Sequence, residues 1–202
     1  MSPRPYGMAT RNASVEATRR RIVEAAVRLH AIRGAVRTAW DDIAAEAGVS
    51  RATVYHHFPS LDDLVPACAQ VAFDLIEVPT PQAAAARFAQ LSTPTQRLAH
   101  FISESTRCYE SGAPWLRAAW RERDLVPAMG EAVKRLQRGL RVLLDAALEG
   151  VAIDRQSRQV LISLLDFPFW DALDGAGMPR ERIGDQISKL AETVIRDRRR
   201  RQ

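Results

Sequence analysis

The sequence predicts an all-α protein, with a short three-helix unit at the N-terminus and a longer helical region behind it. Three observations predict it. Apolar residues recur at spacings of three and four along the chain, and no convincing two-residue alternation marks a strand. Gly, Pro and Ser/Thr clusters interrupt this periodicity at intervals suited to helices. The chain has 202 residues, 47% of them hydrophobic, so it can bury a sizeable core and is not disordered throughout.

The first helix is predicted over residues 14–32. Ser14 caps it, Glu16 sits in its first turn, and Gly34 stops it. Ile22, Ala25, Ala26 and Leu29 form its buried stripe. The second helix spans 39–47. Thr38 with Asp41 three residues on has the form of a capping box, and Ile43, Ala44 and Ala47 face inward. Gly48 supplies a left-handed turn, and Ser50 caps a third helix from Arg51 to His57, which Pro59 ends. Ser60 caps a fourth helix with Asp62 and Asp63 at its positive end. Pro66 inside that helix bends it or costs a hydrogen bond. The VPTP joint at Val78–Pro81 follows. Further helices are expected over 81–91, 94–111, 114–124, 126–149, 154–174 and 179–200. Their breaks fall at Ser92-Thr93-Pro94, Ser111-Gly112, Val126-Pro127, Gly150 and Gly175–Pro179. The expected domains are residues 1–60 and 61–202.

Charge is unevenly placed. The net charge is +5, and residues 1–60 hold nine Arg against five acidic residues. A basic N-terminal third suits a nucleic-acid partner better than a uniform bias would. Two short helices joined by a Gly turn are the sequence form of the helix-turn-helix. Its second helix must fit a major groove, so it presents short polar groups at its start and aims its amides at phosphate. Arg51 can read guanine or neutralise a phosphate; Thr53 can bond a base or touch a thymine methyl. Ala52 is small enough for close backbone approach. Tyr55, His56 and His57 bring donors to phosphates, while Val54 and Phe58 face inward.

The segment DDIAAEAGVSRATVYHHF, Asp41 to Phe58, with TRRRIVEAAVRLHAIRG before it and SLDDL after it, resembles the TetR family of bacterial transcriptional regulators. The resemblance covers residues 14–64; beyond them it rests on architecture alone. It implies a helical C-terminal domain for ligand binding and dimerisation. It also implies a regulator, usually a repressor, that leaves a palindromic double-stranded DNA operator when a small-molecule inducer binds. By it, Arg51 and Thr53 take base-facing positions, and Tyr55 and His57 contact backbone phosphates. His56 falls at a variable position that often does the same. Thr38 and Ser50 join the DNA-binding set. The chain departs from the family in having Thr38-Ala39 where two Thr are common, Trp40 for a smaller residue, and Leu61 where a Lys often stands. Arg19, Arg20, Arg21 or Arg37 can replace that phosphate anchor. Arg4 and Arg11 lie in a Pro-containing arm that either enters a minor groove or makes no contact. The run Arg198–Arg201 reads as a solvated helix end.

A helix-turn-helix monomer reads one half-site, so a homodimer face is expected. Ile183, Ile187, Leu190 and Val194 recur at four, three and four on the last helix, and Leu161, Leu164 and Leu165 lie on the one before. Together they suit a four-helix bundle between two subunits, with part of each stripe left as intramolecular core. Phe101, Ser105, Tyr109, Trp115, Trp120 and Phe167 either line a pocket for an apolar or aromatic inducer or form core. Arg117 and Arg121 either hold an anionic ligand or form a solvated face. A regulator with a filled core and no ligand is the alternative.

No catalytic constellation is expected. Cys108 and His100 are eight residues apart on one helix, about 12 Å of rise, too far for thiol activation. Cys68 and Cys108 form neither a disulfide framework nor a metal site, and no phosphate loop occurs. No cofactor or metal is therefore expected. With no signal peptide and no apolar stretch near the roughly 18 residues a membrane span needs, the expected location is cytoplasmic, away from membranes.

Overall fold

In the computed structural model, which describes residues 6–73 and 78–199, the described residues form ten helices and no strand. These are α1 (Tyr6–Arg33), α2 (Trp40–Ala47), α3 (Arg51–His57), α4 (Leu61–Phe73), α5 (Pro81–Arg87), α6 (Pro94–Glu122), α7 (Pro127–Ala147), α8 (Arg155–Leu165), α9 (Phe167–Gly175) and α10 (Arg180–Arg199). They gather into two compact units. One combines Met1–Leu75 with Pro114–Val133; the other combines Ile76–Ala113 with Lys134–Gln202.

In the first unit, α1 packs on α2 and α4, and α2 on α3. The core takes Ile22, Val23, Ala25 and Ala26 from α1, and Ile43, Ala44 and Ala47 from α2. Val54, Phe58, Leu64, Ala67 and Cys68 complete it. Small residues at 25 and 26 on α1 and at 44 and 47 on α2 let these two helices pack closely in the core that also holds Phe58. Two expectations are corrected here. The first helix starts at Tyr6, so it takes in Arg11. Ala, Arg and Glu are strong helix formers, and after Gly7 neither Gly nor Pro interrupts them before Gly34. Arg4 lies outside the described residues, as do the side chains of Arg198–Arg201. Thr38 is no cap: Ala39 is the N-cap residue of α2 and makes no side-chain cap bond. The Thr38 hydroxyl donates instead to the Gly34 carbonyl at 2.6 Å and is buried in the turn.

Glu122, near the end of α6, closes that turn. Its carboxylate is buried and accepts from the amides of Ala35 (2.7 Å) and Val36 (3.2 Å). Gly34 stands at φ 85°, and a side chain there would collide with the Glu122 carboxylate. Two constraints thus demand glycine: a left-handed backbone and a close approach. Beside Glu122, His30 is fully buried with both ring nitrogens lacking a hydrogen-bond partner. Burial pushes its imidazole down to about 4, against a smaller opposing pull from Glu122. Asp63 accepts from the Ser60 amide and hydroxyl at the start of α4, while Asp62 accepts from Ala128 N–H at the start of α7.

In the second unit, α8 packs on α9 and α10. Two helix boundaries differ from expectation. α6 runs through Ser111-Gly112 and Pro114 without a break. Pro114 costs it one hydrogen bond, and the burial of Ala113, Trp115, Leu116, Ala118 and Ala119 outweighs that cost. Conversely, the helix expected over 154–174 divides at Asp166, whose side chain accepts from Phe167 N–H and N-caps α9. Pro168 then lies in the first turn of a new helix, where its missing N–H costs nothing, so it starts a helix instead of kinking one.

Candidate nucleic-acid interface

The α2–α3 turn is built by local chemistry. Gly48 adopts φ 64° and ψ 42°. Its amide donates to Ala45 O (3.2 Å) and the Val49 amide to Ala44 O (3.0 Å), the two bonds of a Schellman ending. Two residues later Ser50 opens α3, its hydroxyl accepting from Thr53 N–H at 3.1 Å and lying 2.8 Å from the Thr53 hydroxyl. The α3 helix then sorts its residues by side. Val54 and, just past its end, Phe58 are buried; Arg51, Ala52, Tyr55 and His56 are exposed; Thr53 and His57 are half-buried. A helix so short is held by its two inward side chains, which leaves the outward ones free to meet a ligand.

The outward side chains are ordered by one another. Arg51 donates to the Asp41 carboxylate at 3.0 Å and to the Tyr55 hydroxyl at 3.4 Å, with its guanidinium 5.4 Å from the Tyr55 ring centre. The Tyr55 ring in turn packs on Trp40, centroids 4.9 Å apart. Those contacts hold the Arg51 guanidinium more firmly protonated than usual, the Tyr55 bond foremost and Asp41 next. His56 and His57 meet edge to face at 5.6 Å. Burial, then the neighbouring His56 and Arg19, lower His57 below the usual imidazole range. Arg19 lies over the Phe58 ring at 4.8 Å, and Arg20 pairs with Glu24 at 3.9 Å.

Of the eight residues expected to face DNA, the structure brings Ser50, Arg51, Ala52, Thr53, Tyr55, His56 and His57 onto one short helix and its cap. Thr38 is separated from them by burial. Asp41 and Trp40 also belong to this surface, beyond the capping role expected of Asp41 and the departure from the family noted at Trp40. Their opposite charge and ring type to Arg51 and Tyr55 was the available signal. Glu122 gave none, because it lies 87 residues from the amide it holds.

The C-terminal expectations divide. Tyr109 and Phe167 meet at 5.6 Å and both touch Trp170, at 6.2 and 5.9 Å. Tyr109 donates to Leu165 O at 2.8 Å, and burial drives its phenol well above the ordinary value. Phe101 is buried and Ser105 half-buried in the same unit, whereas Trp115 and Trp120 belong to the first unit. Of the stripe residues, Leu161, Leu165, Ile183 and Ile187 are buried within the chain by the packing of α8 and α10. Leu164, Leu190 and Val194 stay half-exposed. Burial pushes the Cys68 thiol up to about 12 and raises Cys108, so both are poor nucleophiles. Among the described residues no cluster of His, Cys, Asp or Glu suits a metal, and no helix is long and apolar enough to cross a membrane.

Two short helices joined by a left-handed glycine, the second turning Arg51, Tyr55 and His56 outward from a shared core, define a helix-turn-helix DNA-binding protein. Residues 22–68 match the family model described as bacterial regulatory proteins, tetR family. Over those residues the chain carries the helix-turn-helix DNA-binding segment that this family model describes. Solved structures share the fold over most of its length. A transcriptional regulator from Rhodococcus sp. Rha1 is 18% identical at a TM-score of 0.67, over 89% of this chain and 96% of that one. A TetR-family protein from Mesorhizobium loti is 19% identical at 0.64, over 91% and 95%. A protein from Saccharomonospora viridis, described as a transcriptional regulator and solved with choline, is 26% identical at 0.60, over 86% and 95%. Among curated proteins no sequence matches the chain.

Proposed function

We propose that this regulator is a homodimeric repressor that binds a palindromic operator through α3 and leaves it when a small molecule binds the C-terminal region. The observation that carries the reading is the outward presentation of Arg51, Ala52, Tyr55 and His56 from a helix anchored by Val54 and Phe58. Arg51 and Thr53 read bases; Tyr55, His56 and His57 hold phosphates, with Ser50 fixing the helix start. Dimerisation uses what the chain leaves half-exposed on α8 and α10, namely Leu164, Leu190 and Val194. Neighbouring Val160, 42% exposed, extends this face.

A small-molecule input is supported by the choline complex of the Saccharomonospora protein. The inducer shifts a population: it binds the DNA-incompetent form more tightly, and complete switching takes a difference of about 5.5 kcal/mol. The aromatic residues Tyr109, Phe167 and Trp170 offer faces to an apolar or aromatic compound. Their mutual packing and burial equally favour a second reading, a filled core in a regulator without an inducer.

Selection from a randomised duplex pool at fixed salt, with wild type beside Tyr55→Ala, tests the proposal. Recovery of a palindrome by wild type alone supports it. Equal, weak binding to all sequences by both proteins rejects it. Release of the recovered operator by members of an aromatic compound panel then separates the inducible reading from the filled core.

A further inference from the structure

Arginine is a poor reader of sequence unless something holds it. Its side chain has many rotamers, and an unrestrained guanidinium finds phosphate as readily as guanine. Arg51 is restrained on three sides: Asp41 holds Nη1 at 3.0 Å, the Tyr55 hydroxyl accepts from Nη2 at 3.4 Å, and the Tyr55 ring lies beneath at 5.4 Å. Tyr55 is backed by Trp40, which packs against the buried core. Trp40 and Asp41 are consecutive in the first turn of α2, so the helix that crosses behind the reader supplies both its ring support and its carboxylate. Each terminal guanidinium nitrogen carries a second N–H. The bonds to Asp41 and Tyr55 therefore leave donors for a base edge.

Stability does not explain the Asp41–Arg51 pair. Both side chains are well exposed, 66% and 55%, and pairs of that kind contribute little to folding. Affinity does not explain it either, since a carboxylate on a surface facing polyphosphate is repulsive. A group that opposes general affinity while fixing the geometry of a donor fork is a specificity device.

We propose that Asp41 is a positioning residue that sets the base preference of Arg51, orienting its fork toward a guanine in each half-site. This rests on the DNA-binding reading above and assigns it a determinant outside the recognition helix.

The test measures base preference at every operator position for the full-length wild type, Asp41→Asn and Arg51→Ala, together with affinity for random duplex. Arg51→Ala identifies the base pair that Arg51 reads. The expected result is that Asp41→Asn weakens guanine discrimination at that same base pair by about tenfold. Other positions keep their preferences, and affinity for random duplex is unchanged or higher. An Asp41→Asn profile matching wild type overturns the proposal. So does a uniform loss of affinity at all sequences, which marks Asp41 as structural support only. If wild type itself selects no site, the DNA-reading assignment of α3 fails first, an outcome distinct from either.

Discussion

Acid should unfold this protein through one residue. His30 lies in the last turn of α1, where the helix dipole favours a cation, yet its imidazole is fully buried and neither nitrogen has a partner. Burial dominates and lowers it from the ordinary 6.5 to about 4. The folded state thus binds fewer protons than the unfolded one. The neutral ring's contribution is complete above the unfolded value and is lost as pH falls toward the folded value. Linkage puts that loss at about 2 kcal/mol by roughly pH 5 and about 3 kcal/mol in full. The perturbation is His30→Leu, which fills a similar volume with nothing to protonate or satisfy. At neutral pH the variant should match or exceed wild type, because two unpartnered ring nitrogens are removed. Urea unfolding of both proteins near pH 7 and pH 5 gives the measurement, and wild type should lose about 2 kcal/mol more than the variant between them. Other titrating groups, half-buried His57 included, cancel in the comparison. Equal losses in the two proteins, or a His30 resonance titrating near its ordinary value by NMR, would refute the reasoning.

Two further outcomes follow from the contacts. Glu122→Ala should cost about 2 kcal/mol in denaturant unfolding, since it strips the acceptor from the buried Ala35 amide and the partly buried Val36 amide, while Glu122→Gln keeps an acceptor and should cost less than half as much. Leu164→Glu should leave folding intact and yield monomers in sedimentation, whereas Leu161→Glu, at a fully buried position, should unfold the chain; a Leu164→Glu dimer would remove the proposed interface.

The sequence by itself determined the helix-turn-helix. Its determinants are local: Gly48 for a left-handed turn, Ser50 for a cap three residues from its amide, and inward Val54 and Phe58 four apart. Each interaction spans a few residues, so spacing alone reveals it. The all-α class was legible for the same reason, from periodicity. Tertiary structure decided the rest. Whether Pro114 ends a helix depends on how much apolar surface its neighbours bury, and the buried run around it carries α6 through. Asp166 became a cap because a new helix begins there; Asp-Phe-Pro has the form of a helix start, but the apolar periodicity running across it reads as one continuous helix. The stripes on α8 and α10 read identically for self-packing and partner packing, and only the fold showed that Leu161, Leu165, Ile183 and Ile187 serve the former. Glu122 and His30 meet across more than ninety residues, and Asp41 meets Arg51 across the turn. Contacts that join distant positions obey distance and burial, which a one-dimensional pattern does not carry.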